Sequence, residues 1–316
     1  MHVLITGATG FVGAYLRQEV HAHADWQLTG TTFPDVPPTP THPQEHFVYL
    51  DLRQAESVRA LLAERRPDAI IHLAAQSHVP TAYKDPWGTL ENNIRGQLNL
   101  LEACMALELK PRFLVIGSGE EYGRDAPEAM PLREEHPLRP ENPYSVSKVA
   151  QDVLGYQYFI SYGIPVIRMR PFNHVGPGQS PRFVLPAFAQ QVARIEAGLQ
   201  EPVLRVGNLS PARDFTDVRD VVRAYVLALL HGQPGEVYNV CSGTGRTIQS
   251  LINRLLELAR VPISVEIDPE RYRPADVPTI FGSAEKLRQA TGWEPEIPFE
   301  QTVQDVLNEW RSSVEG

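Results

Sequence analysis

The sequence predicts an α/β protein, a doubly wound parallel sheet followed by a smaller C-terminal α/β lobe that would hold a substrate. Three observations predict it. Short apolar runs alternate with helix-length stretches through the first half of the chain, the pattern of a parallel sheet covered by helices. The first apolar run, His2-Val3-Leu4-Ile5-Thr6, opens into the glycine-rich Gly7-Ala8-Thr9-Gly10-Phe11-Val12-Gly13 just before a helical stretch. Farther on, Asn142-Pro143-Tyr144-Ser145-Val146-Ser147-Lys148 sets Tyr144 and Lys148 one turn apart on one face if a helix starts near Pro143. Residues 1–170 are expected to form the first domain, with about 214–240 returning to it, and 171–316 mainly the second lobe.

At 316 residues, 42% hydrophobic and 21% charged, the chain can bury one large core or two. Its net charge of -9 argues against nucleic acid or an anionic membrane as the main partner, since both need a basic face, and an anionic ligand has to be held by dedicated groups. There is no apolar run of membrane-spanning length and no signal-peptide pattern, and the expected site of action is cytoplasmic. The two cysteines, Cys104 and Cys241, lie in apolar patterns without metal-ligand spacing and read as reduced core thiols, so no metal is expected.

Each element follows in order. Glycines three apart at a strand-to-helix turn let backbone approach a pyrophosphate, whose charge is met by amides at the helix N-terminus. The G-x-x-G-x-x-G spacing of Gly7, Gly10 and Gly13 resembles the short-chain dehydrogenase/reductase superfamily, in particular its extended branch, and implies a Rossmann domain with Thr9, Phe11 and Val12 also at the cofactor. The second strand, 27–33, ends without the acid that grips a ribose 2'-hydroxyl; Thr31 and Thr32 stand there instead. That tilts the cofactor toward NADP, while the lack of an arginine in 31–41 keeps NAD open. A third strand, 47–50, is closed by Asp51-Leu52, which the resemblance puts beside the adenine; Asp51 reads equally as a cap for a helix over 54–66.

The run Ala69-Ile70-Ile71-His72-Leu73 is a continuous apolar strand of the buried parallel kind, with His72 a core histidine. Beyond Leu73, small Ala74 and Ala75 leave room for a cofactor. The run from His72 to Val79 resembles nucleotide-sugar dehydratases and their relatives, which implies that Ser77 and Val79 face the sugar. A long helix is expected over 88–107; by resemblance its Asn93 organises a proton-relay water, and otherwise Asn92 and Asn93 form a solvated polar face.

A fifth strand, 112–116, leads to Gly117-Ser118-Gly119-Glu120-Glu121-Tyr122-Gly123, at the strand end where open parallel sheets place ligands. Ser118 lies 26 positions before Tyr144, the usual separation in the extended branch, and can donate to the oxygen that Tyr144 protonates. An ammonium beside the phenol favours phenolate and is expected to lower its pKa. Such a phenol can exchange a proton with an alcohol or ketone while a hydride moves at the same carbon. Glu120 stands where dehydratases of this group carry the base that removes a sugar C5 proton, or is an exposed loop carboxylate.

After a sixth strand, 165–170, further helices are expected over 182–198, 217–230, 247–259, 283–291 and 299–311, and strands over 203–206 and 237–240. Arg213 and Arg273, expected in loops, are candidates for a diphosphate bridge, or else surface partners of Asp214 and Asp276. The runs Arg170 to Pro181, Arg273 to Pro278 and Gly292 to Ile297 resemble the GDP-6-deoxy-4-keto-mannose reductases, relatives of the GDP-mannose 4,6-dehydratases. That resemblance implies nucleotide-sugar contacts from Asn173, Arg213 and Arg273, with Val184 on the guanine side. It also implies a homodimer through helices 88–107 and 143–162, and reduction by NADPH of the C4 ketone of GDP-4-keto-6-deoxymannose to GDP-rhamnose. Dehydration of GDP-mannose, with Glu120 as base, shares Ser118, Tyr144 and Lys148. Phe11-Val12-Gly13-Ala14-Tyr15 in place of the dehydratases' Gln-Asp-Gly-Ser-Tyr, and the lack of their arginine-rich insertions and of a basic residue near Ala187, favour reduction. A non-catalytic dinucleotide sensor is the alternative from another class, disfavoured by the intact Ser-Tyr-Lys set.

Overall fold

A computed structural model describes residues 1–34, 38–124, 127–269 and 279–315. The first half runs β1 His2–Thr6, α1 Phe11–His21, β2 Gln27–Thr32, β3 Glu45–Tyr49, α2 Ala55–Arg65, β4 Ala69–His72, α3 Val79–Lys84, α4 Pro86–Leu90, a π-helical turn Glu91–Arg95, α5 Gly96–Ala106 and β5 Arg112–Ile116. After a 3-10 turn, Gly119–Tyr122, come α6 Pro143–Tyr162, β6 Val166–Pro171, β7 Asn173–Val175 and α7 Val184–Glu196. The remainder is β8 Val203–Val206, β9 Ala212–Asp217, α8 Val218–His231, β10 Val237–Val240, β11 Gly245–Thr247, α9 Ile248–Leu258, β12 Ser264–Ile267, β13 Thr279–Ile280, α10 Glu285–Thr291 and α11 Phe299–Glu315.

Seven strands form one sheet in the order β10-β6-β5-β4-β1-β2-β3, and every pairing in it is parallel. The strands can be parallel because their inner residues are apolar on both faces: Val3, Leu4, Ile5, Ile70 and Ile71 are fully buried. One face packs against α1 and α8 through Leu16, Val20, Val221 and Tyr225, and the other against α2, α5 and α6 through Leu62, Leu101 and Tyr158. The chain leaves β1 toward β2 and β3 on one side and returns to β4, β5 and β6 on the other. Loops after β1 and β4 therefore diverge at the carboxyl edge, where a ligand crevice forms.

A separate core joins α7, α9 and α11 over β8 and β9. β9 is the hub of a four-stranded sheet, pairing with β7, β11 and β13, while β8 pairs with β12. Arg213 thus lies in a strand, correcting the loop expected from the sequence; the charges of Arg213 and Asp214 mask a strand that the rest of the lobe buries almost throughout. β10 and α8 instead belong to the seven-stranded sheet and its helical cover.

The helix expected over 88–107 also differs. It begins earlier, where the Asp85 carboxylate accepts from the Gly88 amide at 2.9 Å and Pro86 takes the first turn, and a π-helical turn interrupts it. Within that turn Asn93 is fully buried. Its Nδ2 donates to the Gln76 carbonyl at 3.0 Å and the Ser147 hydroxyl at 2.9 Å, so it is not part of a solvated face. By contrast α6 starts where expected. Asn142 caps it reciprocally with Ser145, Pro143 fills its first turn, and Gly163 ends it at φ 66°.

Candidate active site

Close packing shapes the glycine turn. Gly7 has φ 70°, and a Cβ there would lie 3.0 Å from the Ala74 backbone; a Cβ on Gly13 would lie 2.4 Å from the Gly7 carbonyl oxygen. Gly10, at the N-terminus of α1, supplies no side-chain cap, and the first turn holds no acid. Its orphan amides and the helix dipole therefore suit an anion. The turn fits the pyrophosphate of a dinucleotide.

A cavity of about 300 Å³ opens at the carboxyl edge of the sheet. Gly7, Gly10, Phe11, Val12 and Gly13 form one wall, and Leu73, Ala75 and Ser77 follow from β4. Ser118 and Glu120 enter from the end of β5, Tyr144 and Lys148 from α6, Asn173 from β7 and Arg213 from β9. Ala74 lies behind this wall, its amide donating to the Thr6 hydroxyl at 3.2 Å, and Thr9 is half-buried within the glycine turn.

Other expected residues lie apart. Thr32, Asp51 and Leu52 sit at the carboxyl ends of β2 and β3, across β1 from the cavity. Asp51 is not a helix cap: Gln54 occupies the N-cap of α2, and Asp51 pairs with Arg53 at 2.8 Å. The hydrogen bonds from Arg53 hold its carboxyl below the usual carboxylate range. Val79 begins α3 and Val184 begins α7, the latter against the second core. Arg273 lies outside the described residues. Asp214, offered as its neighbour Arg213's ion partner, instead accepts from the Ser242 amide at 2.7 Å and the Gly243 amide at 2.9 Å.

Around the phenol the electrostatics differ from expectation. Burial, then the charge of Glu120, raise the Tyr144 pKa above its ordinary value, while a hydrogen bond with Ser118 works against them. Lys148 does not lower it. Its Nζ lies 6.0 Å from the centre of the Tyr144 ring and donates to the Ile116 carbonyl at 2.7 Å. Burial pulls Lys148 itself down to about 8, with Glu121 opposing. The Ser118 hydroxyl also accepts from the Glu120 amide at 3.2 Å, and the Glu120 carboxylate accepts from Asn142 at 3.0 Å. Burial first, with Glu120 adding to it, keeps Tyr144 a neutral acid, suited to delivering a proton. Burial holds His72 neutral, its pKa down to about 3, in a 2.8 Å hydrogen bond with Thr6, as a core histidine.

Sequence reasoning missed part of the wall. Phe172, His174, Gln179, Phe183 and Tyr225 also line the cavity. Phe172, His174 and Gln179 lie within a run singled out for its resemblance, but no local periodicity marks their inward orientation. Tyr225 looks like any core residue of an amphipathic helix. Among the described residues no group of three or more His, Cys, Asp or Glu could hold a metal ion, and no helix is long and apolar enough to cross a membrane.

A parallel sheet with a glycine turn at its switch point, facing a Ser-Tyr-Lys constellation, defines an extended short-chain dehydrogenase/reductase. More narrowly, the chain belongs to the family described as GDP-mannose 4,6 dehydratase, which matches residues 4–306. It is 42% identical over 313 residues, 99% of this chain and 98% of the other, to a GDP-6-deoxy-D-mannose reductase of Pseudomonas aeruginosa. Its identity to GDP-mannose 4,6 dehydratase 2 of Arabidopsis thaliana is 30%, over 97% of this chain and 86% of that one. Among solved structures, RMD from Pseudomonas aeruginosa complexed with NADPH superposes with a TM-score of 0.88 at 42% identity, covering 99% of each chain. UDP-glucose 4-epimerase of Thermus thermophilus in complex with NAD gives 0.87 at 30% identity, covering 99% of this chain and 100% of that one.

Proposed function

We propose that this protein is an NADPH-dependent reductase of the C4 ketone of a GDP-linked 4-keto-6-deoxyhexose, GDP-4-keto-6-deoxy-D-mannose, forming GDP-D-rhamnose. The observation that carries it is the meeting of Ser118, Tyr144 and Lys148 at one cavity with the glycine turn. Family membership and the 42% identity to a named reductase, against 30% to a dehydratase, support reduction over dehydration.

In this reading Gly7, Thr9, Gly10, Phe11, Val12 and Gly13 hold the pyrophosphate and its neighbours, and Thr32, Asp51 and Leu52 the adenosine half. Leu73, Ala74 and Ala75 border the rest of the cofactor. When bound, the reduced nicotinamide supplies a hydride to C4. Ser118 donates to the carbonyl oxygen, and Tyr144 gives it the phenolic proton. Lys148, anchored on the Ile116 carbonyl, holds the nicotinamide ribose. Ser77, Val79, Asn173 and Val184 contact the nucleotide sugar, with Arg213 and Arg273 on its diphosphate. Residues 1–170 with β10 and α8 serve as the cofactor domain and the rest mainly as the substrate lobe.

To test it, purified protein is mixed with NADPH and enzymatically prepared GDP-4-keto-6-deoxymannose. Loss of absorbance by the reduced cofactor, with one GDP-rhamnose formed per NADPH, is expected; no oxidation sinks the reading. Conversion of GDP-mannose with bound cofactor recycled would install dehydration, for which Glu120, lining the same cavity, is the base.

A homodimer is part of the same proposal. Val146, Val153 and Ile160 recur every seven residues on α6 and are 42%, 51% and 61% exposed, an apolar stripe suited to a second copy of the chain. Sedimentation velocity is expected to show a dimer that Val153→Glu with Ile160→Glu converts to monomer. A wild-type chain that stays monomeric at tens of micromolar removes the assignment.

A further inference from the structure

Glu121 lies under the reacting groups and no step above uses it. It is fully buried. Its Oε1 accepts from the Ser118 amide at 2.7 Å, and its Oε2 lies 3.2 Å from Arg170 Nε. A Cβ on Gly117 would come within 2.2 Å of Oε1, so the backbone before Ser118 is wrapped directly over the carboxylate. One residue earlier still, Lys148 binds the Ile116 carbonyl. Glu121 and Lys148 therefore grip adjacent points of the same strand end.

Other charges complete the cluster. Arg170 Nε donates to Asp152 Oδ2 at 2.9 Å, and Arg168 Nη1 donates to Asp152 Oδ1 at 2.7 Å. Arg170 Nη1 donates to the Tyr122 hydroxyl at 3.0 Å. Asp152 and Lys148 come from α6, Arg168 and Arg170 from β6, and neutral His72 from β4. Burial, then the charge of Asp152, push the Glu121 carboxyl up to about 8, with Arg170, the Ser118 amide and Lys148 working against them, so among two guanidiniums and one ammonium it gains its charge in the range where Lys148 loses its own. A buried ion pair is weak as a source of stability, because desolvation offsets its attraction. Position over the strand end that carries Ser118 gives this one a different use.

We propose that Glu121 is a positioning residue for proton delivery: its carboxylate fixes the Ser118 backbone and balances the Lys148 ammonium across the end of β5. The inference rests on the oxidoreductase reading and names a residue that acts through Ser118 and Lys148 without touching substrate. Glu121 draws the Lys148 pKa upward against burial. Lys148 is charged below its pKa, so removing Glu121 moves loss of the ammonium to lower pH.

The test is Glu121→Gln, followed by two titrations: NADPH binding by fluorescence against pH, and kcat/KM for the keto sugar against pH. Glutamine keeps an acceptor for the Ser118 amide and loses the charge. The alkaline limb of both curves is expected to move down by about one pH unit, with less than about a tenfold fall on the plateau. Curves that only scale, with limbs where the wild type has them, overturn the proposal and leave Glu121 a packing residue. Should Glu121→Gln not fold, Glu121→Met, which leaves Arg170 paired with Asp152, removes the carboxyl alone; a wild-type alkaline limb in that protein overturns the proposal equally. Failure of the wild type to reduce the keto sugar would strike the function, while the NADPH-binding limb would still decide the role of Glu121.

Discussion

Replacing Tyr144 with phenylalanine is expected to lower kcat for keto-sugar reduction by about a thousandfold, within the range for loss of a general acid, and to leave NADPH affinity nearly unchanged. The substitution removes one oxygen. The ring stays between Ser118 and Lys148, and the glycine turn is untouched. Ser118 cannot replace the lost donor well, because its hydroxyl proton has no base behind it and its oxygen already accepts from the Glu120 amide. Lys148 is tied to the Ile116 carbonyl and stands 6.0 Å from the ring centre. Single-turnover absorbance gives the chemical step and fluorescence titration gives the affinity. A variant that binds both ligands and turns over within about tenfold of wild type removes Tyr144 from the chemistry.

Gly13→Ala is expected to weaken NADPH binding by about a hundredfold, roughly 2.7 kcal/mol. The added methyl would lie 2.4 Å from the Gly7 carbonyl oxygen and 2.7 Å from the Ala8 carbonyl carbon. All of these close atoms are backbone, which leaves nothing flexible to yield, so the turn must open and carry the amides of α1 away from a phosphate. Gly10→Ala strains the turn less, since its methyl meets the Gly7 oxygen at 3.3 Å, and is expected to weaken binding less than Gly13→Ala. Isothermal calorimetry of both variants, with melting temperatures beside it, separates lost binding from lost fold. Wild-type affinity in a folded Gly13→Ala protein would show that this turn does not cradle the cofactor.

Local patterns made much of the architecture legible. Continuous apolar runs such as Ile70-Ile71 lie in strands buried on both faces, and helix caps such as Asn142 with Pro143 place the start of α6. Gly7, Gly10 and Gly13 are readable because a close backbone approach admits no Cβ, which is a restriction on residue type rather than on distant contacts. Arg213 was harder. Its strand exists only because β7, β11 and β13 pair with it, and those partners arrive from three separate stretches of chain.

By itself, then, the sequence determined the alternation of strands and helices, the glycine turn and the one-turn spacing of Tyr144 and Lys148, because these depend on neighbours within a few residues. Tertiary structure alone decided that Glu121 is buried against Arg170 and that Tyr144 is pushed toward its neutral form. Charge and solvation depend on what the rest of the chain brings within a few ångströms, and residues far apart in the chain come that close only when the sheet closes around them.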